Sequence, residues 1–299
     1  MAGNPRNKRI KGLGPASGPA YALVGSALDA RDVRVPVIKR ACDYLATYAL
    51  LAILGVEILA WTVLAVVLLG PLPKRRRRAA TRYTMMWGFR LFAWLLTVSG
   101  ACEFDLRPLE ALAAGPPLIL APNHPSSVDA ILLLSRHPDL VCILKPELMG
   151  NPFLGAGARL AGFIRSDPPR RMIREAIEEL RGGAAVLLFP EGTRTTRAPL
   201  NPLTGSIAVI ARHAQVPVQV VVIETDSPYL GKGWPILKVP RLPIRCRVRL
   251  GARLEPSGDV ASCMSALGRE LTRELADAPQ NGWLGGKQAG GGKALLDGQ

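Results

Sequence analysis

The hydrophobic and polar positions of the chain predict two long apolar helices near its start. Leu45–Leu69 is 25 residues long and carries a single charge, Glu57. A helix rises about 1.5 Å per residue, so this stretch would reach about 37 Å, more than the roughly 30 Å hydrocarbon core of a bilayer. A second apolar stretch, Tyr83–Ala101, contains Arg90 near its middle. We predict that both helices associate with a membrane, the second lying at the interface or partly within the bilayer.

Beyond residue 101 the pattern changes to short apolar runs that alternate with segments of helical periodicity. This alternation predicts an α/β fold with a layered, mostly buried sheet and flanking helices. The predicted strands are Leu118–Ala121, Val141–Leu144, Gly162–Ile164, Ala184–Phe189, Val216–Ile223 and Arg245–Leu250. The predicted helices are Val128–Ser135, Met172–Arg181, Thr204–His213 and Val260–Ala276.

Charge and composition refine the division of the chain. It has 38 Lys and Arg against 23 Asp and Glu, and residues 1–100 hold 15 of these cations but only 4 of the acids. A hydrophobic content of 48% excludes a disordered chain. We predict four segments. They are a basic, partly disordered tail at residues 1–42, membrane-anchoring helices at 43–101, the α/β domain at 102–277 and a flexible, glycine-rich end at 278–299.

Five consecutive cations, Lys74–Arg78, follow the first apolar stretch after a Gly-Pro break. We expect them to face the cytoplasm and to pair with anionic headgroups, at about 1 kcal/mol for each cation. A solvated charge run is the alternative. Cations also precede the first helix, so a single span and a hairpin that enters and leaves on one side are both open. Nucleic acid is disfavoured as a partner because no aromatic residues interleave with the cations.

The five cysteines lie far apart and form no C-x-x-C pair. This spacing argues against a disulfide framework and against a zinc cluster, and it fits a reducing compartment. We therefore expect no metal. We also expect Cys142 to lie in the core, and His137 and His213 to have structural roles.

The segment N-H-P-S-S-V-D, residues Asn123–Asp129, follows a predicted strand. Pro125 suits the first turn of a helix, where its missing N–H is not needed. His124 would then lie at the strand–helix junction, and the Asp129 carboxylate can reach back to its imidazole. Such a pair makes a general base, because the carboxylate fixes the tautomer and stabilises the imidazolium. The alternative is a capped helix in which both side chains only satisfy the turn.

The segment F-P-E-G-T-R, residues Phe189–Arg194, begins at the end of another predicted strand. Its proline and glycine end the strand and force a turn. The polar side chains that follow would lie at the carboxyl end of the strand, where open α/β sheets bind ligands. The guanidinium of Arg194 suits a phosphate. Taken alone, this segment is also an ordinary polar turn.

Together the two segments resemble the glycerolipid acyltransferases of the lysophosphatidate acyltransferase type. Lys145–Leu148 with Gly162–Arg165 looks like the second sequence block of that family, and Val216–Val220 looks like its fourth. The resemblance covers about residues 118–222. It implies that residues 102–277 form an acyltransferase domain, which moves an acyl chain from acyl-CoA or acyl carrier protein to the hydroxyl of a lysophospholipid. The implied acceptor is 1-acylglycerol-3-phosphate, and the implied product is phosphatidate.

The resemblance also implies residue roles. His124 would be the general base and Asp129 its orienter, with no enzyme nucleophile and no cofactor beyond the thioester co-substrate. The implied substrate-binding residues are Glu191, Gly192, Thr193, Arg194, Arg165 and Lys145. The implied location is a membrane, with the catalytic domain on the cytoplasmic face.

The second block departs from the family pattern F-I-x-R, because Arg165 directly follows Phe163-Ile164. Arg170 and Arg171 are therefore further candidates for a second phosphate contact. The departure bears more on the lysophosphatidate acceptor than on acyl transfer, and it leaves a lyso-ornithine lipid open as the acceptor. Residues 227–235, rich in glycine and aromatic side chains, have no counterpart that the resemblance assigns; they are a loop or line a substrate groove.

Two hypotheses come from other functional classes. One is a catalytically silent lipid-binding scaffold, and the other is a basic membrane adaptor whose function lies in residues 1–100. The presence of His124, Asp129 and Arg194 together argues against the scaffold, because a silent protein has no chemical reason to keep all three.

Overall fold

A computed structural model of the chain describes residues 37–113, 115–151, 154–197, 199–235 and 237–277. The predicted flexible end and most of the predicted basic tail lie outside the described residues. The helices are α1 Val37–Leu69, α2 Lys74–Val98, α3 Asp129–Leu134, α4 Pro146–Gly150, α5 Gly155–Ala161, α6 Pro169–Arg181, α7 Ser206–Ala214 and α8 Val260–Ala276, with a 3₁₀ helix at Arg107–Leu112. The strands are β1 Cys102–Asp105, β2 Ile119–Pro122, β3 Leu140–Leu144, β4 Ile164–Arg165, β5 Ala185–Leu187, β6 Val218–Thr225 and β7 Ile244–Leu254.

The described strands form one seven-stranded sheet in the order β1-β7-β6-β2-β5-β3-β4. Neighbouring strands are parallel except for the antiparallel pair β6 and β7. Every residue of β2 and β5 is buried, as expected for parallel strands that are covered by helices on both faces. The predicted α/β fold with a layered, mostly buried sheet and flanking helices is confirmed.

Short elements are the ones that the sequence pattern did not predict. β1 has four residues, α4 has five and α5 has seven, and segments of this length show too few periods to stand out. The long apolar helices also begin earlier than predicted. α1 starts at Val37 and α2 at Lys74, so the five cations form the first turns of α2.

α1 and α2 form a helical hairpin whose outer face is apolar and exposed. Among the described helices, α1 alone is long and apolar enough to cross a bilayer, and only 17% of its most apolar window is buried. α1 is therefore a candidate membrane segment. Large apolar side chains on both helices are exposed, among them Val56, Val63, Val67, Trp87 and Trp94. A patch of this kind marks a surface that contacts lipid or a partner.

The inner face of the hairpin is joined to the α/β domain by a buried arginine of α2, Arg82, which is 6% exposed. Its Nε donates to the carbonyl oxygen of Ala161 at 2.7 Å, its Nη1 to Asp139 Oδ1 at 2.7 Å and its Nη2 to Glu179 Oε2 at 2.6 Å. Arg78 also pairs with Glu179. At least one cation of the predicted headgroup-binding run is therefore bound within the protein.

Glu57 lies at the same junction, where α1 faces α2. Its Oε1 would lie 3.4 Å from a Cβ atom on Gly88, so the carboxyl group lies close to the backbone of α2. The carboxyl borders a cavity of about 40 Å³ that Trp61 and Phe89 also line.

We predict that Arg82→Ala lowers the free energy of unfolding in detergent by about 3 kcal/mol. The substitution removes one of the hydrogen-bond donors of the largely buried Glu179 carboxylate, and it removes the guanidinium that pairs with Asp139. This is the low end of the range for broken buried pairs, since the Asp139 side chain is 41% exposed and water replaces its partner. Chemical denaturation followed by circular dichroism measures the change. Arg75→Ala, at an exposed position of the same helix, is the matched control and should change stability by less than about 0.5 kcal/mol. Equal effects of the two variants would contradict this account of the joint.

Candidate active site

The predicted site residues lie at one edge of the sheet. β2, β5, β3 and β4 run parallel, so their carboxyl ends meet at the same edge, where open α/β sheets hold ligands. His124 follows β2 and the F-P-E-G-T-R turn follows β5. Lys145 follows β3, and Arg165 ends β4.

His124 and Asp129 form a hydrogen-bonded pair. His124 Nδ1 lies 2.9 Å from Asp129 Oδ2, which also accepts the backbone N–H of Ser126 at 2.8 Å. Asp129 is the first residue of α3 and is 2% exposed, whereas the His124 side chain is 17% exposed. The predicted reach of the carboxylate back to the imidazole is thus present in the structure.

The surroundings of this pair set its protonation. Burial raises the pKa of the Asp129 carboxyl above its ordinary range, and the hydrogen bonds from His124 and the Ser126 N–H oppose the rise, as does the charge of Arg194. With the carboxylate ionised, the imidazole proton lies on Nδ1. Nε2 then keeps its lone pair and is the atom able to accept a proton from a substrate.

Phe189 packs directly on the imidazole of His124. The ring centroids are 3.8 Å apart and the planes are inclined by 21°. The aromatic residue that opens the F-P-E-G-T-R turn therefore fixes the plane of the ring that the other motif supplies. The local sequence indicates for Phe189 only the end of a strand. Its position beside β2 follows from the pairing of β2 with β5.

Glu191 connects the F-P-E-G-T-R turn, to which it belongs, with the loop that carries His124. Its Oε1 accepts the backbone N–H of His124 at 3.2 Å and the Thr195 hydroxyl at 2.6 Å, and its Oε2 accepts the backbone N–H of Asn201 at 2.9 Å. The residue is 5% exposed. These contacts are all within the protein, so the role of Glu191 toward substrate stays a prediction. Thr195 and Asn201 were not among the predicted site residues.

Asn123 fixes the start of the histidine loop, residues 123–128 between β2 and α3. Its Nδ2 donates to the carbonyl oxygen of Ile223 at 3.0 Å, and its Oδ1 accepts the Ile223 N–H at 2.7 Å. The side-chain amide thus extends the pairing of β2 with β6 by one step beyond the strand. Because this amide is buried and both its groups are bonded, the residue that precedes His124 is held firmly.

Arg194 spans three segments of the site. Its Nη1 lies 2.9 Å from Ser127 Oγ, 2.8 Å from the carbonyl oxygen of Leu230 and 3.1 Å from that of Gly231. Gly192, two residues earlier, has φ +63°, a left-handed conformation that favours glycine. The guanidinium thereby fixes the 227–235 loop against the histidine loop. Thr193 and Gly192 lie in the turn that carries it.

Lys145 and Arg165 are exposed at the far end of the same edge. Arg165 pairs in register with Leu144, the residue before Lys145, and its Nη2 lies 3.3 Å from Asp167 Oδ1. Arg170 is exposed, and Arg171 pairs with Glu175 at 2.7 Å. Their contacts with substrate stay predictions.

Cys142 is predicted to lie in the core, and His137 and His213 to have structural roles. Cys142 lies in β3 and is 1% exposed, and burial raises the pKa of its thiol to about 12. A thiol of this kind stays protonated at neutral pH and is a poor nucleophile. Within the described ranges, no three His, Cys, Asp or Glu side chains come together as metal ligands would. His137 accepts the backbone N–H of Asp139, and His213 contacts the carbonyl oxygen of Val209.

A cavity of about 240 Å³ lies between Asp129, the partner of His124, and the hairpin. We call this cavity the apolar groove. One side is formed by side chains of α1 and α2, and the other by the histidine loop, α3 and the 227–235 loop. Its lining includes Leu50, Leu54, Phe92, Ser126, Asp129 and Tyr229. The hairpin therefore completes a space that ends beside the buried carboxylate.

The chain is similar to known acyltransferases. A family model described as Acyltransferase matches residues 103–224. The 1-acyl-sn-glycerol-3-phosphate acyltransferase of Pseudomonas aeruginosa is 27% identical over 213 residues, which cover 69% of this chain and 79% of that protein. The lyso-ornithine lipid O-acyltransferase of the same organism is 31% identical over 193 residues, 60% of this chain and 70% of that protein.

Two further relatives extend these likenesses. The mouse 1-acyl-sn-glycerol-3-phosphate acyltransferase alpha is 29% identical over 199 residues, covering 60% of this chain and 67% of that protein. The crystal structure of the 1-acyl-sn-glycerophosphate acyltransferase PlsC from Thermotoga maritima superposes with a TM-score of 0.61 at 20% identity, over 80% of this chain and 96% of that chain. The structural likeness shows a shared fold.

Proposed function

Because this chain belongs to the glycerolipid acyltransferase family of the lysophosphatidate acyltransferase type, we propose that it transfers an acyl chain from acyl-CoA or acyl carrier protein to 1-acylglycerol-3-phosphate, giving phosphatidate. The observation that carries the proposal is the 2.9 Å contact between His124 Nδ1 and Asp129 Oδ2. It leaves His124 Nε2 as the proton-accepting nitrogen, and Asp129 also lines a cavity large enough for part of an acyl chain.

The proposed reaction needs no covalent enzyme intermediate. His124 Nε2 takes the proton of the acceptor hydroxyl while the hydroxyl oxygen attacks the thioester carbon. The tetrahedral intermediate then collapses, the C–S bond breaks, and the leaving sulfur takes the proton from the imidazolium. Asp129 stabilises the imidazolium and keeps its tautomer.

The apolar groove is the proposed place of an acyl chain. Its walls are apolar side chains of the hairpin and of α3, and burial of each methylene group contributes about 0.8 kcal/mol. Because Ser126 and Asp129 line the groove, a chain lying in it would pass beside the carboxyl group that binds His124.

A lyso-ornithine lipid is the second candidate acceptor. Two observations favour it. The Nη1 atom of Arg194 is already bound to three protein oxygens, and the 31%-identical relative is a lyso-ornithine lipid O-acyltransferase.

The hairpin is the proposed membrane anchor. Its exposed apolar face would enter the bilayer, and the cations at the start of α2 would meet anionic headgroups on the cytoplasmic side. Lys74, Arg75 and Arg76 are exposed, whereas Arg77 donates to the carbonyl oxygen of Gly70 and Arg78 pairs with Glu179. We therefore assign the headgroup contacts to the first three cations.

We predict that His124→Ala lowers kcat at least a hundredfold, because a positioned base contributes about 10²- to 10⁴-fold. Asp129→Asn should also lower kcat strongly by changing the tautomer. Turnover of acyl-CoA with lysophosphatidate, followed by mass spectrometry of the product, measures both effects. His213→Ala, on α7, is the matched control and should keep wild-type turnover. A folded His124→Ala variant with near-full activity would refute the assignment of the base.

Arg194→Ala should raise KM for lysophosphatidate about tenfold or more, since loss of a charge-assisted phosphate contact costs binding energy. The rise should be smaller for a lyso-ornithine lipid, which has no phosphate. Steady-state kinetics with both acceptors separates the cases. Equal losses with the two acceptors would mean that Arg194 acts through the loops it holds, and a wild-type preference for the lyso-ornithine lipid would identify that lipid as the acceptor.

Changing Lys74, Arg75 and Arg76 together to Gln should weaken binding to anionic vesicles by up to about 100-fold at low salt, at about 1 kcal/mol for each cation. The loss should shrink at high salt because the interaction is screened. Vesicle sedimentation measures it, with neutral vesicles as the control. Binding that responds neither to the charges nor to salt would count against a headgroup role.

A further inference from the structure

A second cavity, also of about 240 Å³, lies beside the loop that carries His124. Pro125, the residue after His124, lines it, and so does Thr195, whose N–H donates to the carbonyl oxygen of His124 at 2.8 Å. The remaining lining comes from Thr196 and the 227–235 loop, including Lys232. We call this space the lysine cavity.

Residues 227–231 form the wall between the lysine cavity and the apolar groove. Ser227 lines both spaces, Tyr229 and Leu230 line the groove, and Gly231 lines the lysine cavity. The wall is fixed to the histidine loop, because Ser126 Oγ donates to the carbonyl oxygen of Tyr229 at 2.9 Å and the Ser127 N–H donates to that of Leu230 at 3.1 Å. Two separate spaces therefore border the histidine loop, which suits a reaction that joins two substrates.

The charge of the lysine cavity differs from that of the groove. Lys232 is the charged residue in its lining and is exposed. Among the described residues, no carboxylate lies within ion-pair distance of its ammonium group. Arg194 Nη1 lies 3.1 Å from the carbonyl oxygen of Gly231, the neighbour of Lys232, so Arg194 holds the loop that carries Lys232 without lining the cavity itself.

We propose that the lysine cavity holds a phosphate ester of one substrate and that the Lys232 ammonium group is its counter-charge. A lysine binds phosphate as a point charge, and a partly enclosed site strengthens that attraction. The inference rests on the proposed function, which supplies two sources of this chemistry. One is the phosphate of the lysolipid headgroup, and the other is the phosphopantetheine arm of the thioester donor.

The test compares Lys232→Gln with Lys238→Gln. Lys238 is an exposed lysine on the same connection between β6 and β7, with its ammonium group 5.0 Å from the Trp234 ring centroid, and it does not line the cavity. Kinetics are measured with two acceptors, lysophosphatidate and a lyso-ornithine lipid, and with two donors, acyl-CoA and the phosphate-free thioester acyl-N-acetylcysteamine. We expect Lys232→Gln to raise KM about tenfold for one phosphate-bearing substrate with kcat unchanged, as for loss of uniform binding, and Lys238→Gln to leave KM unchanged.

The phosphate-free substrates identify the source. A rise in the KM of lysophosphatidate that is absent with the lyso-ornithine lipid supports the lipid headgroup, and a rise in the KM of acyl-CoA that is absent with acyl-N-acetylcysteamine supports the donor. Unchanged KM values for all substrates, or equal rises with and without phosphate, would overturn the proposal.

A binding measurement separates this proposal from the proposed function. Calorimetric titration of the full chain in detergent with glycerol 3-phosphate and with coenzyme A needs no turnover. Loss of turnover in His124→Ala with retained binding bears on the base alone. Tenfold weaker binding of one probe to Lys232→Gln supports the lysine cavity even if no acyl transfer is detected, and wild-type affinity of that variant for both probes overturns it.

Discussion

The buried carboxylate of Glu191 is the interaction on which the site depends. The histidine loop follows β2, and the F-P-E-G-T-R turn follows β5. Parallel pairing brings the carboxyl ends of these two strands close together, but it fixes neither loop. Glu191 accepts the backbone N–H of His124 with one oxygen and that of Asn201 with the other. A buried charge is tolerated only when it is fully hydrogen-bonded, so the carboxylate and the two loops hold one another in a single arrangement. The stacking of Phe189 on the imidazole then sets the plane of the base within that arrangement.

The site could be predicted from the sequence where function and local pattern coincide. His124 and Asp129 are five residues apart with a proline between them, a spacing that fits either a capped helix or a turn in which the carboxylate reaches the ring, and the family resemblance implies the second. The F-P-E-G-T-R turn was placed correctly at the end of β5 because proline and glycine end strands. Asn123, Thr195 and Asn201 could not be found in this way. The partners of Asn123 and Thr195 are 100 and 71 residues distant in the chain, so these contacts follow only from the order of the strands in the sheet. Asn201 contacts Glu191, 10 residues away, within the loop that follows β5, and this contact depends on the conformation of that loop.

The same limit applies to the hairpin. Apolar length predicted both helices, and the run of cations predicted contact with headgroups. The pattern did not reveal that Arg78 and Arg82 face inward, because their partners Glu179 and Asp139 belong to α6 and to the residue before β3. A cation beside an apolar helix can therefore pair with a lipid headgroup or with a carboxylate of the protein, and the local sequence around the cation is alike in the two cases. Burial distinguishes them: Arg82 is 6% exposed and Lys74–Arg76 are exposed.

These inward arginines connect the hairpin to the α/β domain that contains the candidate site. α2 is held on the α/β domain by Arg82, and Phe92 of the same helix lines the apolar groove that ends at Asp129. The position of the hairpin therefore determines the shape of the space in which an acyl chain would lie. The 227–235 loop, held by Arg194, closes the opposite side and separates that space from the lysine cavity. An apolar space and a cationic space, both bordering the loop that carries His124, suit the proposed acyl transfer between two amphipathic substrates, because each substrate could place its polar end and its chain in different surroundings.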